Sequence, residues 1–156
     1  MSQSTGPTLA GFNYFVYNVM SIDPLILPTN APIIGYAYNV ALGIVNPLLA
    51  AAGCPAPGQW SFYAMAVYNL GGSNLINYAQ DQPGRTWFTD QRTLYGISKF
   101  APGVVSSTSD TGTSVSLLNQ DFMKTMTLRD LRTIKDPWGR AYMEIAQDFG
   151  PLWGLT

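Results

Sequence analysis

The chain has 156 residues, a length that fits one domain able to bury its own core. Apolar residues make up 47% and charged residues 11%, well below the roughly 25% of an ordinary soluble domain, and the net charge is -1. No basic run offers an electrostatic footprint for nucleic acid, and the lone Cys54 excludes an internal disulfide scaffold.

The first eleven residues read as disordered. Met1-Ser2-Gln3-Ser4-Thr5-Gly6 lacks the basic region and apolar run of a secretory signal. Residues 12–20 include Tyr14, Phe15, Val16 and Tyr17, and read either as a short strand or as a helical turn. Pro24, Pro28 and Pro32 then predict extended structure for Leu25, Ile26 and Leu27, because a residue before proline disfavours the α region.

A first helix is predicted over 33–52. Ile34, Ala37, Tyr38, Ala41, Leu42, Val45, Leu48, Leu49 and Ala52 recur at helical spacing and form one apolar stripe. Gly35, Asn39, Gly43 and Asn46 line another face, which reads as a close helix contact or as tolerated surface. Pro47 removes a backbone donor and predicts a kink. Cys54 sits in a Gly- and Pro-rich loop and reads as structurally incidental.

A second helix is predicted over 59–80, anchored by Trp60, Tyr63, Ala64, Val67, Leu70, Leu75 and Tyr78. Gly71-Gly72 in its middle costs about 1 kcal/mol per glycine relative to alanine. Either something approaches closely there or the helix breaks. A third helix is predicted over 89–100 with Leu94 and Ile97 inward.

Residues 24–80 hold no Asp, Glu, Lys or Arg; all charges but Asp23 and Asp81 lie at or beyond Arg85. A stretch so free of charge implies surface covered by a subunit or by lipid. A transmembrane helix needs about 20 mostly apolar residues. Both predicted helices carry recurrent amides and lack flanking Lys or Arg, which favours subunit-facing helices over a two-span membrane hairpin.

Beyond Pro102-Gly103, apolar pairs flank a Ser/Thr run centred on Asp110-Thr111-Gly112, read as a β-hairpin or a long extended loop. Its composition offers little to a core of its own. It is a surface loop, or an arm that orders on a neighbour by strand addition. Thr127-Leu128-Arg129-Asp130 matches a capping pattern for a short helix through Ile134. Asp136 and Pro137 suit the cap and first position of a last helix. Its inner face is Trp138, Ala141, Tyr142, Ile145, Ala146 and Phe149, with an Arg140–Glu144 pair on another. Gly150-Pro151 ends it. Leu152, Trp153, Gly154, Leu155 and Thr156 make a short apolar tail that folds onto its own core or inserts into a partner.

The chain has no histidine, so the usual general base and the commonest metal ligand are absent. Histidine-dependent triads and ordinary zinc sites are excluded within one chain. Gly71-Gly72 has neither the spacing nor the lysine of a phosphate loop. Two carboxylates can do acid–base work, but Asp90, Asp130 and Asp136 have helix-start explanations and Asp110 a turn explanation. The expectation is a protein that is not an enzyme, with no catalytic, cofactor or metal residues.

The order Gly103-Val104-Val105-Ser106-Ser107, then Gly112-Thr113-Ser114-Val115-Ser116-Leu117, then Trp138-Gly139-Arg140-Ala141-Tyr142 resembles the head-to-tail adaptor (connector) proteins of tailed bacteriophages. Asp136-Pro137-Trp138-Gly139 stands where that family more often has a Thr-x-Tyr-Gly type sequence. The resemblance covers residues 30–150 in layout.

It implies a mainly α fold: a small helical bundle, here residues 12–150, with a long Ser/Thr-rich arm or β-hairpin over 103–118 and an extended tail over 151–156. It further implies a homo-oligomeric ring, usually of twelve copies, in the virion neck between the portal protein and the tail (nozzle) protein. Such a ring is assembled in the host cytoplasm and passes DNA through its channel without sequence-specific binding. The resemblance makes Val104, Val105, Ser106, Ser107, Thr113, Val115 and Leu117 an inter-subunit arm. It makes Leu152, Trp153 and Leu155 a portal contact. The alternatives are a two-span, holin-like membrane protein and another virion part, such as a tail-completion or minor capsid protein.

Overall fold

The computed structural model describes residues 6–97, the strand residues 104–108 and 115–118, and residues 133–149. The chain opens with α1 (Leu9–Tyr14), which runs directly into a π-helical turn (Phe15–Val19). Thr8 caps α1: its Oγ1 accepts from the Gly11 N–H at 3.0 Å. The disorder anticipated for residues 1–11 therefore fails over the part described. Tertiary bonds explain why. The Tyr68 hydroxyl accepts from the Thr8 N–H at 3.0 Å and donates to the Thr8 carbonyl at 3.2 Å, and Tyr38 donates to the Pro7 carbonyl at 3.0 Å.

Residues 25–27 are likewise not extended. The Asp23 carboxylate accepts from the Leu25 N–H at 2.7 Å, and its carbonyl accepts from Ile26 and Leu27 at 2.8 and 3.0 Å. Pro24 fits the first position of such a turn, where its missing N–H is not needed.

α2 (Pro32–Ile44) stops short of the anticipated 33–52 span. Val45 and Asn46 turn extended, with ψ of 127° and 119°, because Asn46 precedes Pro47. The Asn46 side chain then accepts from the Leu48 N–H at 3.0 Å and starts a 3-10 helix (Pro47–Ala52). Pro47 thus ends one helix and begins another, rather than kinking one. Ile34, Ala37, Tyr38, Ala41, Val45 and Leu49 are buried as the stripe requires, while Leu48 is 66% exposed.

α3 (Phe62–Tyr78) is capped by Ser61, whose Oγ accepts from the Ala64 N–H at 3.1 Å. It is the hub of the fold: every residue over 66–76 is buried, polar ones included. Gly71 and Gly72 admit the N-terminal segment. A β-carbon on Gly71 would lie 2.7 Å from the Phe12 ring, and one on Gly72 would lie 2.9 Å from the Met20 sulfur. Close approach is therefore what the glycine pair serves, and the helix runs through it unbroken.

α4 (Trp87–Leu94) lies earlier than the anticipated 89–100. Its anchor is Phe88, fully buried, whereas Leu94, expected inward, is 73% exposed. Ile97 is half-buried, and residues 98–100 lie outside the described residues. β1 (Val104–Thr108) and β2 (Val115–Leu118) pair antiparallel. Val104 faces Leu118, and Val105 faces Leu117; a register shift at Ser106 then brings Ser107 opposite Ser116 and Thr108 opposite Val115.

α5 (Pro137–Asp148) begins as its sequence predicts, with Asp136 as cap and Pro137 first. Of the short helix predicted before it, residues 127–132 lie outside the described residues. Arg140 does not hold Glu144. Its guanidinium donates back to the carbonyls of Ile134 and Lys135, at 3.3 and 3.1 Å.

Candidate interaction surfaces

α5 lies antiparallel on α3. Its start sits beside Ser73 and Asn77, and Phe149 beyond its end packs on Phe62, with ring centroids 4.8 Å apart and planes tilted by 57°. The junction is a buried polar node. The Asp136 carboxylate, fully out of solvent, accepts from the Ser73 hydroxyl at 2.7 Å, the Gly139 N–H at 2.8 Å and the Asn77 amide at 3.4 Å. Burial pushes the Asp136 carboxyl up, and these hydrogen bonds only partly counter it. The capping role is plain in the sequence; the burial and the Ser73 partner, 63 residues away, are not. Gly139 is part of the same junction, because a β-carbon there would overlap the Thr133 carbonyl.

A second polar device joins α3 to α4. Asp81 accepts from the Phe88 and Thr89 N–H groups at 2.7 and 3.0 Å and from the Thr89 hydroxyl at 2.6 Å. Burial raises its carboxyl, but those bonds and the nearby Arg92 charge outweigh it and hold it below its ordinary range. Arg92 closes the end of α3, donating to the carbonyls of Ile76 at 2.8 Å and of Ala79. Asp81 and Asp136 thus work as caps, and among the described residues no group of His, Cys, Asp or Glu could hold a metal ion.

The outer surface is where α1, α2 and the 3-10 helix differ from ordinary solvated helices. Tyr14, Leu25, Tyr36 and Leu48 are each more than half exposed on segments almost without charge. Gly35 and Gly43 have open space beyond them, so the glycine–asparagine face of α2 makes no close contact within the described residues. At the N-terminal end of α3 an open cleft of about 270 Å³ is lined by Gly58, Gln59, Trp60 and Met65. The Trp60 ring meets Tyr68 edge-on at 5.1 Å and lies 6.0 Å from the rings of Tyr14 and Phe15.

Of the residues assigned to an inter-subunit arm, Val104, Val105, Ser106 and Ser107 lie in β1 and Val115 and Leu117 in β2, while Thr113 lies outside the described residues. Leu152, Trp153 and Leu155 also lie outside them. The structure therefore pairs the two ends of the proposed arm. No helix among the described residues is long and apolar enough to cross a membrane; α2 and α3 have 13 and 17 residues. Comparison with protein-family models, with curated proteins and with solved structures finds no match for the chain.

Proposed function

We propose that the chain is a structural assembly protein that acts by packing against other chains, and specifically a head-to-tail adaptor. It would form a ring between the portal and tail of a tailed phage, extend the DNA channel and give the tail its docking surface. The observation that carries the assembly reading is the exposed apolar surface on the charge-free part of the chain. Leu25, Tyr36 and Leu48 are 67%, 55% and 66% exposed, and residues 24–80 hold no charge to solvate them. A ring needs a heterologous interface, one patch on each copy meeting a different patch on the next.

The antiparallel pair β1–β2 supports the adaptor version, since a hairpin has edges to which a neighbour's backbone adds. Gly139 supports it too. The tryptophan–glycine step of the resemblance falls where only glycine admits the Thr133 carbonyl, so that step has a packing cause in this chain. The role of residues 152, 153 and 155 at the portal rests on the resemblance.

Co-expression with the portal protein encoded in the same genome, followed by native mass measurement, tests the reading. The expected product is a portal ring carrying a ring of this chain, lost when residues 106–115 are deleted while the chain's circular dichroism is kept. A chain that ignores the portal, or a deletion that leaves the ring intact, refutes the respective assignment.

A further inference from the structure

We infer that the outward face of α2 binds a second copy of this chain, the two α2 helices crossing antiparallel about a twofold axis beside Asn39. α2 lacks charge all round. Ile34, Ala37, Tyr38 and Ala41 are buried on its inner side, where it packs on α3. Pro32, Tyr36, Asn39 and Gly43 recur four, three and four residues apart, so they share the opposite side, and each of them is exposed. A helix that covers a core on one side ordinarily turns charged residues to water on the other. α2 turns a proline, a tyrosine that is 55% exposed, an asparagine and a glycine.

Lipid does not fit this face. The 13 residues of α2 give about 20 Å of helix, short of the roughly 30 Å of a bilayer core. Helices that lie in the membrane surface carry Lys or Arg on their polar side, and residues 24–80 have neither.

A second copy fits because the face is its own complement. Tyr36 projects a large ring. Gly43, two turns further on, is a gap, since a β-carbon there would meet nothing within 4 Å. In an antiparallel pair each ring lies over the other helix's glycine, with ring and gap about 10 Å apart along each helix. The midpoint falls between Asn39 and Val40, so the Asn39 amide, which both donates and accepts, faces its own copy. Gly43 lets the helix axes approach toward the lower end of the usual range of about 8–10 Å. Neither face carries an ion, so pairing desolvates none. A face about 20 Å long and about 10 Å wide is well below the roughly 800 Å² per partner of a standard interface, so the pair is weak and depends on concentration. The inference does not rest on the adaptor reading: a contact about a twofold closes at two copies, whereas a ring joins two different patches.

Sedimentation velocity of the full chain alone, over about a hundredfold range of concentration, tests it. The mass is expected to rise from one copy toward two and no further. Gly43→Leu enters open space and so keeps the fold, which far-UV circular dichroism checks. It and Tyr36→Ser are each expected to raise the dissociation constant at least tenfold. A chain that stays at one copy throughout, that grows past two, or whose pairing ignores both substitutions overturns the inference. Cross-linking gives the second measurement. In a Cys54→Ser background, Asn39→Cys is treated with a short bis-maleimide at the top of the concentration range. The expected product links two chains, its yield falling at least fivefold when Gly43→Leu is added; a yield indifferent to that change overturns the twofold at Asn39. Neither measurement contains portal protein, so failure here leaves the adaptor reading standing.

Discussion

Gly139→Ala and Gly35→Ala are the same chemical change inside two helices of one chain, and they are expected to move stability in opposite directions. Alanine in a helix interior is favoured over glycine by up to about 1 kcal/mol. At Gly35, a β-carbon would meet nothing within 4 Å, so that gain is realised. At Gly139 the new carbon would lie 2.6 Å from the Thr133 carbonyl carbon and closer still to its oxygen. Ordinary contact begins near 3.4 Å, and the oxygen is the nearer atom, so the two backbones must separate by about 1.5 Å. The segment that carries Thr133 is tied on both sides, Lys135 to the Gly96 carbonyl at 3.0 Å and Arg140 to the Ile134 carbonyl at 3.3 Å, which resists its moving away. Overpacking of this kind costs about 1–3 kcal/mol, and weakening the Asp136 cap adds about 1 kcal/mol. Set against the propensity gain, the net loss is about 2 kcal/mol. For a chain of this size that lowers Tm by about 4–8 °C, while Gly35→Ala raises it by a few degrees. Urea and thermal unfolding followed by far-UV circular dichroism measure both. Equal stability of the two variants would refute the packing account of α5.

The remaining predictions concern the two carboxylates and the N-terminal segment. The folded carboxyl of Asp136 lies above its unfolded value near 3.8, so the folded state holds the proton more tightly. Its contribution is complete below that value and is lost as pH rises through the raised folded value. Asp136→Asn removes this fall, which a pH series of urea midpoints against the unsubstituted chain detects; an unchanged profile contradicts the buried node. Asp81 is shifted downward, so its cap contributes above 3.8 and is lost as pH falls through the lowered folded value. Asp81→Ala is expected to destabilise by about 1 kcal/mol at neutral pH and to show a smaller penalty in strong acid. Phe12→Ala is expected to cost about 3–5 kcal/mol, the loss of a fully buried ring stacked near Phe15, Tyr38 and Tyr68. A cost below about 1 kcal/mol would mean that α1 is not part of the core.

Features set by neighbours in sequence are legible in it. Asp136-Pro137 announces the start of α5, and the 3–4 spacing from Ile34 to Ala41 announces the buried stripe of α2. Gly71-Gly72 in an apolar helix announces a close approach, though not that Phe12 and Met20 make it. What escapes is set by distant partners. α1 has few residues and a glycine, and its order comes from Tyr68, sixty positions away. Leu94 looks inward by period, but Asp81 fixes the start of α4 at Trp87 and so turns Phe88 to the core instead. In the candidate site the same division holds. The capping role of Asp136 is local, whereas its burial involves Ser73, and Trp60 is placed by rings from other segments, Phe15 and Tyr68.

A helix enclosed on all sides has a consequence for how the chain is made. α3 leaves the ribosome long before α5, and until residue 149 has been synthesised the surface that will meet α5 has no cover. The final contacts, Ser73 with Asp136 and Phe62 with Phe149, join positions more than sixty residues apart. Nascent chains that stall before that point therefore display an uncovered face of α3, a target for chaperones and proteases. Completion of the core is thus coupled to translation through residue 149.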